Sequence, residues 1–183
     1  GSGSRFGRNK LEAVVDGKSL LRRSLEAVPA EEFAQVTVVT QYDAAAALAE
    51  EFGFTVVRND RPEDGLSRTV RLGTEAMAGC DAILYQVADQ PLLEQETVRR
   101  ELEYFRTHPD HIVGLAHNGV RGNPCIFPRK FFPELMALEG DVGGNVVIRA
   151  HPEELLLYET SAAELRDVDT VEALAAVQED RQI

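Results

Sequence analysis

The sequence contains no long hydrophobic run, and this absence limits what the chain can be. None of its apolar stretches approaches the ~18–20 residues that would span a bilayer, and no segment resembles a secretory signal. The 183 residues, 44% of them hydrophobic, suffice for one sizeable core but are few for two full domains. We therefore expect one soluble domain over residues 1–183, without a membrane partner.

Cysteine is scarce as well. Cys80 and Cys125 are the only two cysteines in the sequence, and they lack the CxxC spacing of zinc and redox sites. Their number and spacing argue against a disulfide framework and against a zinc centre, so a reducing cytoplasm is the expected compartment. We expect both thiols to be packing residues.

Positive charge is in deficit, since the formal net charge is −12 at pH 7. Because phosphate backbones are bound through basic faces, we expect no nucleic-acid partner. The deficit is uneven: residues 1–23 hold six Lys and Arg against two acids and carry +4, which leaves −16 for the rest. This basic segment opens with GSGSRFGRNKL, and on composition alone a solvated terminus with chance charges would explain it.

Apolar runs of strand length alternate with segments of helical periodicity along the chain. The strand-like runs cover 35–40, 54–57 and 81–88, and the helical segments cover 19–28, 43–53, 66–77 and 95–108. Such alternation is typical of parallel strands joined by right-handed crossovers. We predict an α/β fold, a three-layer sandwich around a Rossmann-like, mostly parallel sheet, whose ligands bind beyond the carboxyl ends of the strands.

Asp89 stands directly after the third strand-like run, in the stretch ILYQVADQPLL. A carboxylate at a strand tip, beside a glycine-rich cationic loop, suits Mg²⁺ on a triphosphate, because Mg²⁺ usually takes one or two carboxylates together with phosphate oxygens and water. An aspartate in this position is equally common as a helix cap or turn former. Position alone leaves both interpretations open.

Six motifs follow one another along the chain: GSGSRFGRNKL, NDRPEDGLS, VADQPLL, RGNPCIF, LEGDVGG and DVDT. In order and spacing they resemble the molybdenum cofactor cytidylyltransferase family, within the MobA-like nucleotidyltransferases of GT-A fold, the nucleotide-diphospho-sugar transferase type. The resemblance covers nearly the whole chain. It departs at the start, where the family carries an apolar strand and an Ala-Ala-Gly or Ala-Ser-Gly step. We therefore expect a central strand upstream of residue 1.

The resemblance implies an enzyme that transfers CMP from CTP to the phosphate of molybdenum-bearing molybdopterin and releases pyrophosphate, with Mg²⁺ as cofactor. A molybdenum hydroxylase is then a candidate to receive the product. Three alternatives stay open: GTP in place of CTP, another phosphorylated acceptor such as a sugar or alditol phosphate, and a non-catalytic accessory protein that binds nucleotide or pterin. Paired carboxylates favour the enzyme, because a carrier has no need of them.

Matched residue by residue, the resemblance assigns each motif a role. The nucleotide-binding residues are Gly1, Gly3, Arg5, Gly7, Lys10, Asn59, Gly65 and Ser67, and the acceptor-binding residues are Gly122, Asn123, Pro124, Asp141 and Gly143. Arg5, Lys10 and Asp89 are the catalytic residues, and Asp89 and Asp169 hold Mg²⁺. Glycines let backbone amides approach phosphate oxygens, while arginine offers a planar fork and lysine a compact charge.

Plainer interpretations stand beside several of these roles. Ser67 would also serve as the N-cap of the helix that follows it, and residues 122–124 as the end of an element before strand 125–127. Asp167 competes with Asp169 as the second metal ligand. Asp169 would alternatively cap the helix predicted after it.

Overall fold

The computed structural model describes residues 12–15 and 17–168. The helices in this part are α1 (Leu20–Glu26), α2 (Asp43–Glu51), α3 (Leu66–Ala76), α4 (Gln95–Thr107), α5 (Phe132–Met136) and α6 (Asn145–Ala150). The strands are β1 (Val14–Val15), β2 (Lys18–Ser19), β3 (Thr37–Thr40), β4 (Thr55–Arg58), β5 (Ala82–Tyr85), β6 (Ile112–His117), β7 (Val120–Pro128) and β8 (Leu155–Glu159). The α/β class predicted from the alternation of strand and helix is confirmed.

The strands form three sheets within the described part of the chain. β1 and β2 make a short antiparallel pair, β3 pairs with β4 in parallel, and the largest sheet has the order β5-β7-β6-β8. In this largest sheet β6 and β8 are parallel, whereas β7 is antiparallel to both β5 and β6. β5, β6 and β8 therefore run in the same direction, and the predicted mostly parallel sheet carries β7 as an antiparallel strand.

The turn between β6 and β7 explains the antiparallel pairing. Only Asn118 and Gly119 separate the two strands, and both have positive φ, 50° and 75°. A turn this short returns the chain antiparallel, because a parallel return needs a crossover of about a dozen or more residues. The Glu159 carboxylate accepts hydrogen bonds from both turn amides, at 2.8 Å from Asn118 N and 2.9 Å from Gly119 N, which ties the hairpin to β8.

Apolar side chains cover both faces of the four-stranded sheet, because successive strand residues point to opposite sides. One face packs against α4 through a buried cluster that includes Val98 and Ile126. The other face packs against α5 and α6 through a cluster that includes Phe127, Leu135 and Ile148. Helices thus lie on both sides of this sheet, as the three-layer prediction requires.

Glu101 is a carboxyl group on the core-facing side of α4. It lies on the same helical stripe as Val98 and Leu102, and it is 0% exposed. Within the described part of the chain, neither of its carboxyl oxygens has a hydrogen-bond partner. Burial therefore raises the pKa of Glu101 well above its ordinary value, which favours the protonated form of this side chain.

Both cysteines are free thiols, with Cys125 buried and Cys80 partly exposed. Burial raises the pKa of the Cys125 thiol to about 11, so this thiol is neutral at pH 7 and belongs to the core. Among the helices described, none has the length and the apolar character needed to cross a membrane.

Candidate functional site

Six of the predicted site residues lie outside the described residues. These are Gly1, Gly3, Arg5, Gly7 and Lys10 in the glycine-rich loop, together with Asp169 in the DVDT motif. Their roles stay predictions. The other predicted site residues are described, and they fall on four segments: the chain after β5, the connection from β4 into α3, strand β7 and the loop before α6.

Asp89 lies beyond β5, in a segment that α1 holds in place. The strand ends at Tyr85, and the chain after it bonds to the helix. Gln86 Nε2 donates to the Ser24 carbonyl oxygen at 2.7 Å, and Ser24 Oγ donates to the Val87 carbonyl oxygen at 3.0 Å. These bonds fix where the chain leaves the sheet and therefore where the partly exposed Asp89 lies.

Val168 of the DVDT motif contacts the backbone of Asp89. The Val168 N–H donates to the Asp89 carbonyl oxygen at 2.8 Å. Val168 is fully buried, in a small cluster that includes Leu20 of α1. Val168 is the last described residue before Asp169, the second predicted carboxylate, whose role stays a prediction.

The protein donors at this position fit a magnesium ion that arrives with a nucleotide. Asp89 supplies one carboxylate, and the described residues hold no group of three or more His, Cys, Asp or Glu that would build a metal cage. Mg²⁺ usually takes only one or two protein carboxylates and draws its remaining ligands from phosphate oxygens and water. The role of Asp89 as a ligand of such an ion stays a prediction.

The side chain of Asn59 is bonded within its own segment. Asn59 is 6% exposed, and its Oδ1 accepts from Arg61 N at 3.2 Å and from Arg68 Nε at 3.0 Å. Its Nδ2 donates to Thr69 Oγ1 at 3.2 Å. The amide thus joins the end of β4 to the first turn of α3, and it shapes the predicted nucleotide-binding segment from inside.

Gly65 is the N-cap of α3, and the alternative interpretation of Ser67 as the N-cap is wrong. The chain needs a left-handed residue here, with φ of +84°, and a Cβ on Gly65 would lie 2.6 Å from the Gly140 carbonyl oxygen. Ser67 instead lies in the first helical turn, fully buried, where its N–H donates to the same Gly140 oxygen at 3.3 Å.

Asp141 provides the side-chain cap that Gly65 lacks. Its Oδ1 accepts from the Leu66 N–H at 3.1 Å, across 75 residues of sequence. A carboxylate at a helix N-terminus satisfies a free amide and interacts favourably with the helix dipole. Gly143 belongs to the same contact, because a Cβ there would lie 2.9 Å from Leu66 Cδ2. The predicted nucleotide-binding and acceptor-binding segments therefore touch each other.

The RGNP motif lies within β7, so the interpretation of residues 122–124 as the end of an earlier element is wrong. The register with β6 shifts inside the motif, and the pairs on either side of the shift are Gly114 with Cys125 and Ala116 with Arg121. Residues 122–124 therefore form a bulge opposite one β6 residue. A bulge removes ladder partners, which explains how Pro124 is accommodated in a central strand. The Asn123–Pro124 peptide bond is cis.

Arg121 joins this bulge to the glycine loop before α6. Its Nη1 donates to the Gly122 carbonyl oxygen at 3.1 Å and to Cys125 Sγ at 3.2 Å. Its Nη2 donates to Oδ1 of Asn145, the first residue of α6. Sequence reasoning missed Arg121 and Asn145, and also Arg68, which holds Asn59. No local sequence pattern distinguishes Arg121 or Asn145, apart from their position in or next to a motif.

Comparison with known proteins adds a family and a fold. A family model described as the MobA-like NTP transferase domain matches residues 1–155. Rv0371c from Mycobacterium tuberculosis, for which a complex with manganese is also solved, has a similar structure, with a TM-score of 0.80 at 21% identity over 98% of this chain and 93% of that one. A nucleotidyl transferase from Methanothermobacter gives 0.79 at 22% identity, covering 100% and 95% of the two chains.

A third similar structure is that of CMP:2-keto-3-deoxy-manno-octonic acid synthetase in complex with CTP. Its TM-score is 0.75 at 13% identity, covering 94% of this chain and 91% of that one. At such identities the likeness of these structures shows a shared fold. No curated protein matches the sequence significantly.

Proposed function

The chain belongs to the MobA-like NTP transferase domain family and is therefore a nucleotidyltransferase, and we propose that it transfers CMP from CTP to the phosphate of molybdenum-bearing molybdopterin. An oxygen of the acceptor phosphate attacks the α-phosphorus of CTP. The new P–O bond forms as the bond to the β-phosphate oxygen breaks, and pyrophosphate leaves. The proposal extends to a molybdenum hydroxylase as the receiver of the product.

The hydrogen bond between Val168 N and the Asp89 carbonyl oxygen, 2.8 Å long, is the observation that carries the proposal. It supports a site in which the carboxylates of Asp89 and Asp169 serve the same nucleotide. The six motifs of the cytidylyltransferase family support CTP as the donor. The complex of CMP:2-keto-3-deoxy-manno-octonic acid synthetase with CTP, a protein of the same fold, adds to that support.

Asp89 and Asp169 are the residues that would hold Mg²⁺, which when bound supplies positive charge against the triphosphate. The manganese complex of Rv0371c supports a divalent cation in this fold. The residues of the chain itself align the substrates and neutralise the charge of their phosphates. In the proposal Arg5 and Lys10 offset the negative charge that grows on the leaving pyrophosphate, and the backbone amides of Gly1, Gly3 and Gly7 bind phosphate oxygens.

The remaining predicted site segments are proposed to bind the two substrates. On the nucleotide side, Gly65 and Ser67 place the start of α3, and Asn59 fixes the chain that leads into it. On the acceptor side, the β7 bulge of Gly122, Asn123 and Pro124 and the loop of Asp141 and Gly143 are proposed to contact the pterin or its phosphate. Because Asp141 caps α3, the segments proposed to bind the donor and the acceptor are joined by a hydrogen bond.

Pyrophosphate release tests this proposal directly. The protein is incubated with Mg²⁺, molybdenum-bearing molybdopterin and each NTP in turn, and we expect release with CTP alone and only when the acceptor is present. Release with GTP instead would replace the donor, and release with a sugar or alditol phosphate would replace the acceptor. No release with any combination would contradict an enzyme and favour a nucleotide- or pterin-binding carrier.

A further inference from the structure

Arg121 is a partly buried cation whose bonding partners are all neutral. Its guanidinium donates to a carbonyl oxygen, a thiol and an amide oxygen, those of Gly122, Cys125 and Asn145. No carboxylate in the described part of the chain lies within ion-pair distance of it. Within the described residues its charge is therefore not offset by a carboxylate, although the chain carries a net charge of −12.

The groups around Arg121 do not supply the missing negative charge. The Cys125 thiol is neutral at pH 7, because burial raises its pKa to about 11. The buried Glu101 has no hydrogen-bond partner at either carboxyl oxygen within the described residues, so it is not paired with the guanidinium. Among the described residues, then, no group offsets the charge of Arg121, and the guanidinium is available to an anionic ligand.

The guanidinium has donors to offer such a ligand. Arginine carries five N–H donors, and the bonds to Gly122, Cys125 and Asn145 use three of them. The Nε donor and one Nη2 donor remain. These two nitrogens are adjacent in the planar fork, which matches the spacing of two oxygens of a phosphate or carboxylate.

The position of the guanidinium is fixed by the packing of its stem. A Cβ on Gly114 would lie 3.2 Å from both Cγ and Cδ of Arg121, so the side chain runs across β6 where that strand has no side chain of its own. The two terminal nitrogens of the guanidinium are also held, Nη2 by Asn145 and Nη1 by Gly122. Such a pre-organised fork binds an anion with little further loss of conformational freedom.

We propose that Arg121 binds the phosphate monoester of the acceptor. The proposal rests on the proposed function for its acceptor side. Two anions have to approach each other in the reaction, and a cation beside the attacking phosphate reduces their repulsion. Arg121 is then a substrate-binding residue that sets affinity for the acceptor and leaves affinity for the donor unchanged.

The first test compares kinetic constants for the two substrates. In Arg121→Met the KM for the acceptor should rise about 10- to 100-fold, as expected for loss of a charge-assisted bidentate contact, while the KM for the NTP stays within about twofold. Arg121→Lys keeps the charge without the fork and should fall between. The control is Arg129→Met directly after β7, where Arg129 bonds to the Gly79 and Cys80 carbonyl oxygens and pairs with Asp81, and it should leave both constants unchanged.

A second variant keeps Arg121 in place and cancels its charge. Asn145 is exposed and accepts from Arg121 Nη2, so Asn145→Asp retains this contact and adds a carboxylate. A purely structural role for Arg121 predicts an equal or higher Tm and unchanged kinetics. The proposal predicts the same Tm behaviour with an acceptor KM raised about 10-fold. Unchanged acceptor KM in Asn145→Asp, or an equal rise of both KM values in Arg121→Met, overturns it.

Inorganic phosphate separates this proposal from the proposed function. Phosphate binding is measured by equilibrium dialysis on the wild-type protein and on Arg121→Met, and we expect the variant to lose one class of sites. If that loss occurs although no acceptor supports pyrophosphate release, the proposed function fails and the Arg121 site stands. If both proteins bind phosphate identically, the Arg121 site is refuted whatever the turnover.

Discussion

Replacing Glu101 by Gln should make the protein more stable at neutral pH. The wild-type side chain is fully buried on the core face of α4, and neither carboxyl oxygen is hydrogen-bonded to a described residue. Glutamine has nearly the same shape, is about as costly to bury as the protonated acid, and cannot ionise. The two proteins should therefore differ in how stability depends on pH, and little in packing.

The sign and size follow from proton linkage. Because burial raises the pKa of Glu101 in the folded state, the folded protein holds this proton where the unfolded chain has released it. Stability from this group is fully present below the ordinary pKa of about 4.5 and is lost as pH rises toward the folded value. Each pH unit of that window costs about 1.4 kcal/mol, or about 3–6 °C in Tm for a domain of this size.

Thermal unfolding of both proteins from pH 5 to pH 8 measures this slope. The Glu101→Gln curve should be flatter than the wild-type curve by the amount above, with the two proteins converging toward pH 5. Glu103→Gln, an exposed site on the same helix, is the matched control and should follow the wild type. Parallel curves for wild type and Glu101→Gln would refute the reasoning, because they would mean that Glu101 titrates alike in the folded and unfolded chains.

Three further predictions concern the site. Lys10→Ala should lower pyrophosphate release by about 10²–10³-fold with little change in Tm, and near-normal turnover would remove Lys10 from the mechanism. Asp89→Asn should lower release by orders of magnitude, and near-normal release in both Asp89→Asn and Asp169→Asn would contradict a two-carboxylate metal site. In urea unfolding Asp141→Ala should cost about 0.5–2 kcal/mol and Asp141→Asn much less, whereas equal losses would show that α3 does not depend on this cap.

The sequence predicts the elements of this fold better than their pairing. Apolar runs and helical stripes locate α1 to α4 and β3 to β5 because burial imposes a period on the local sequence. The direction of β7 depends on the two-residue turn of Asn118 and Gly119, and its course through the RGNP motif depends on a register shift. From the sequence, Gly122, Asn123 and Pro124 indicate the end of an element, because no local pattern distinguishes a bulge from a turn.

The site is predictable where chemistry is carried by a motif and unpredictable where it depends on distant contacts. Asp89 follows a strand-like run in the sequence and lies beyond β5 in the structure, while its role as a metal ligand stays a prediction. Local rules instead pointed to Ser67 as the cap of α3, because the true capping carboxylate of Asp141 comes from 75 residues away. Arg121 resembles any other strand arginine until the structure shows that its partners are neutral.

The Leu66 amide offers a single spectroscopic reporter for two segments that are distant in the sequence. It belongs to the start of α3, and its hydrogen-bond acceptor is Asp141 Oδ1 on the opposite segment. Its exchange with solvent and its nitrogen chemical shift therefore depend on this hydrogen bond. In a labelled sample this one resolved peak follows the contact between α3 and the loop before α6 as nucleotide and phosphorylated acceptor are added in turn.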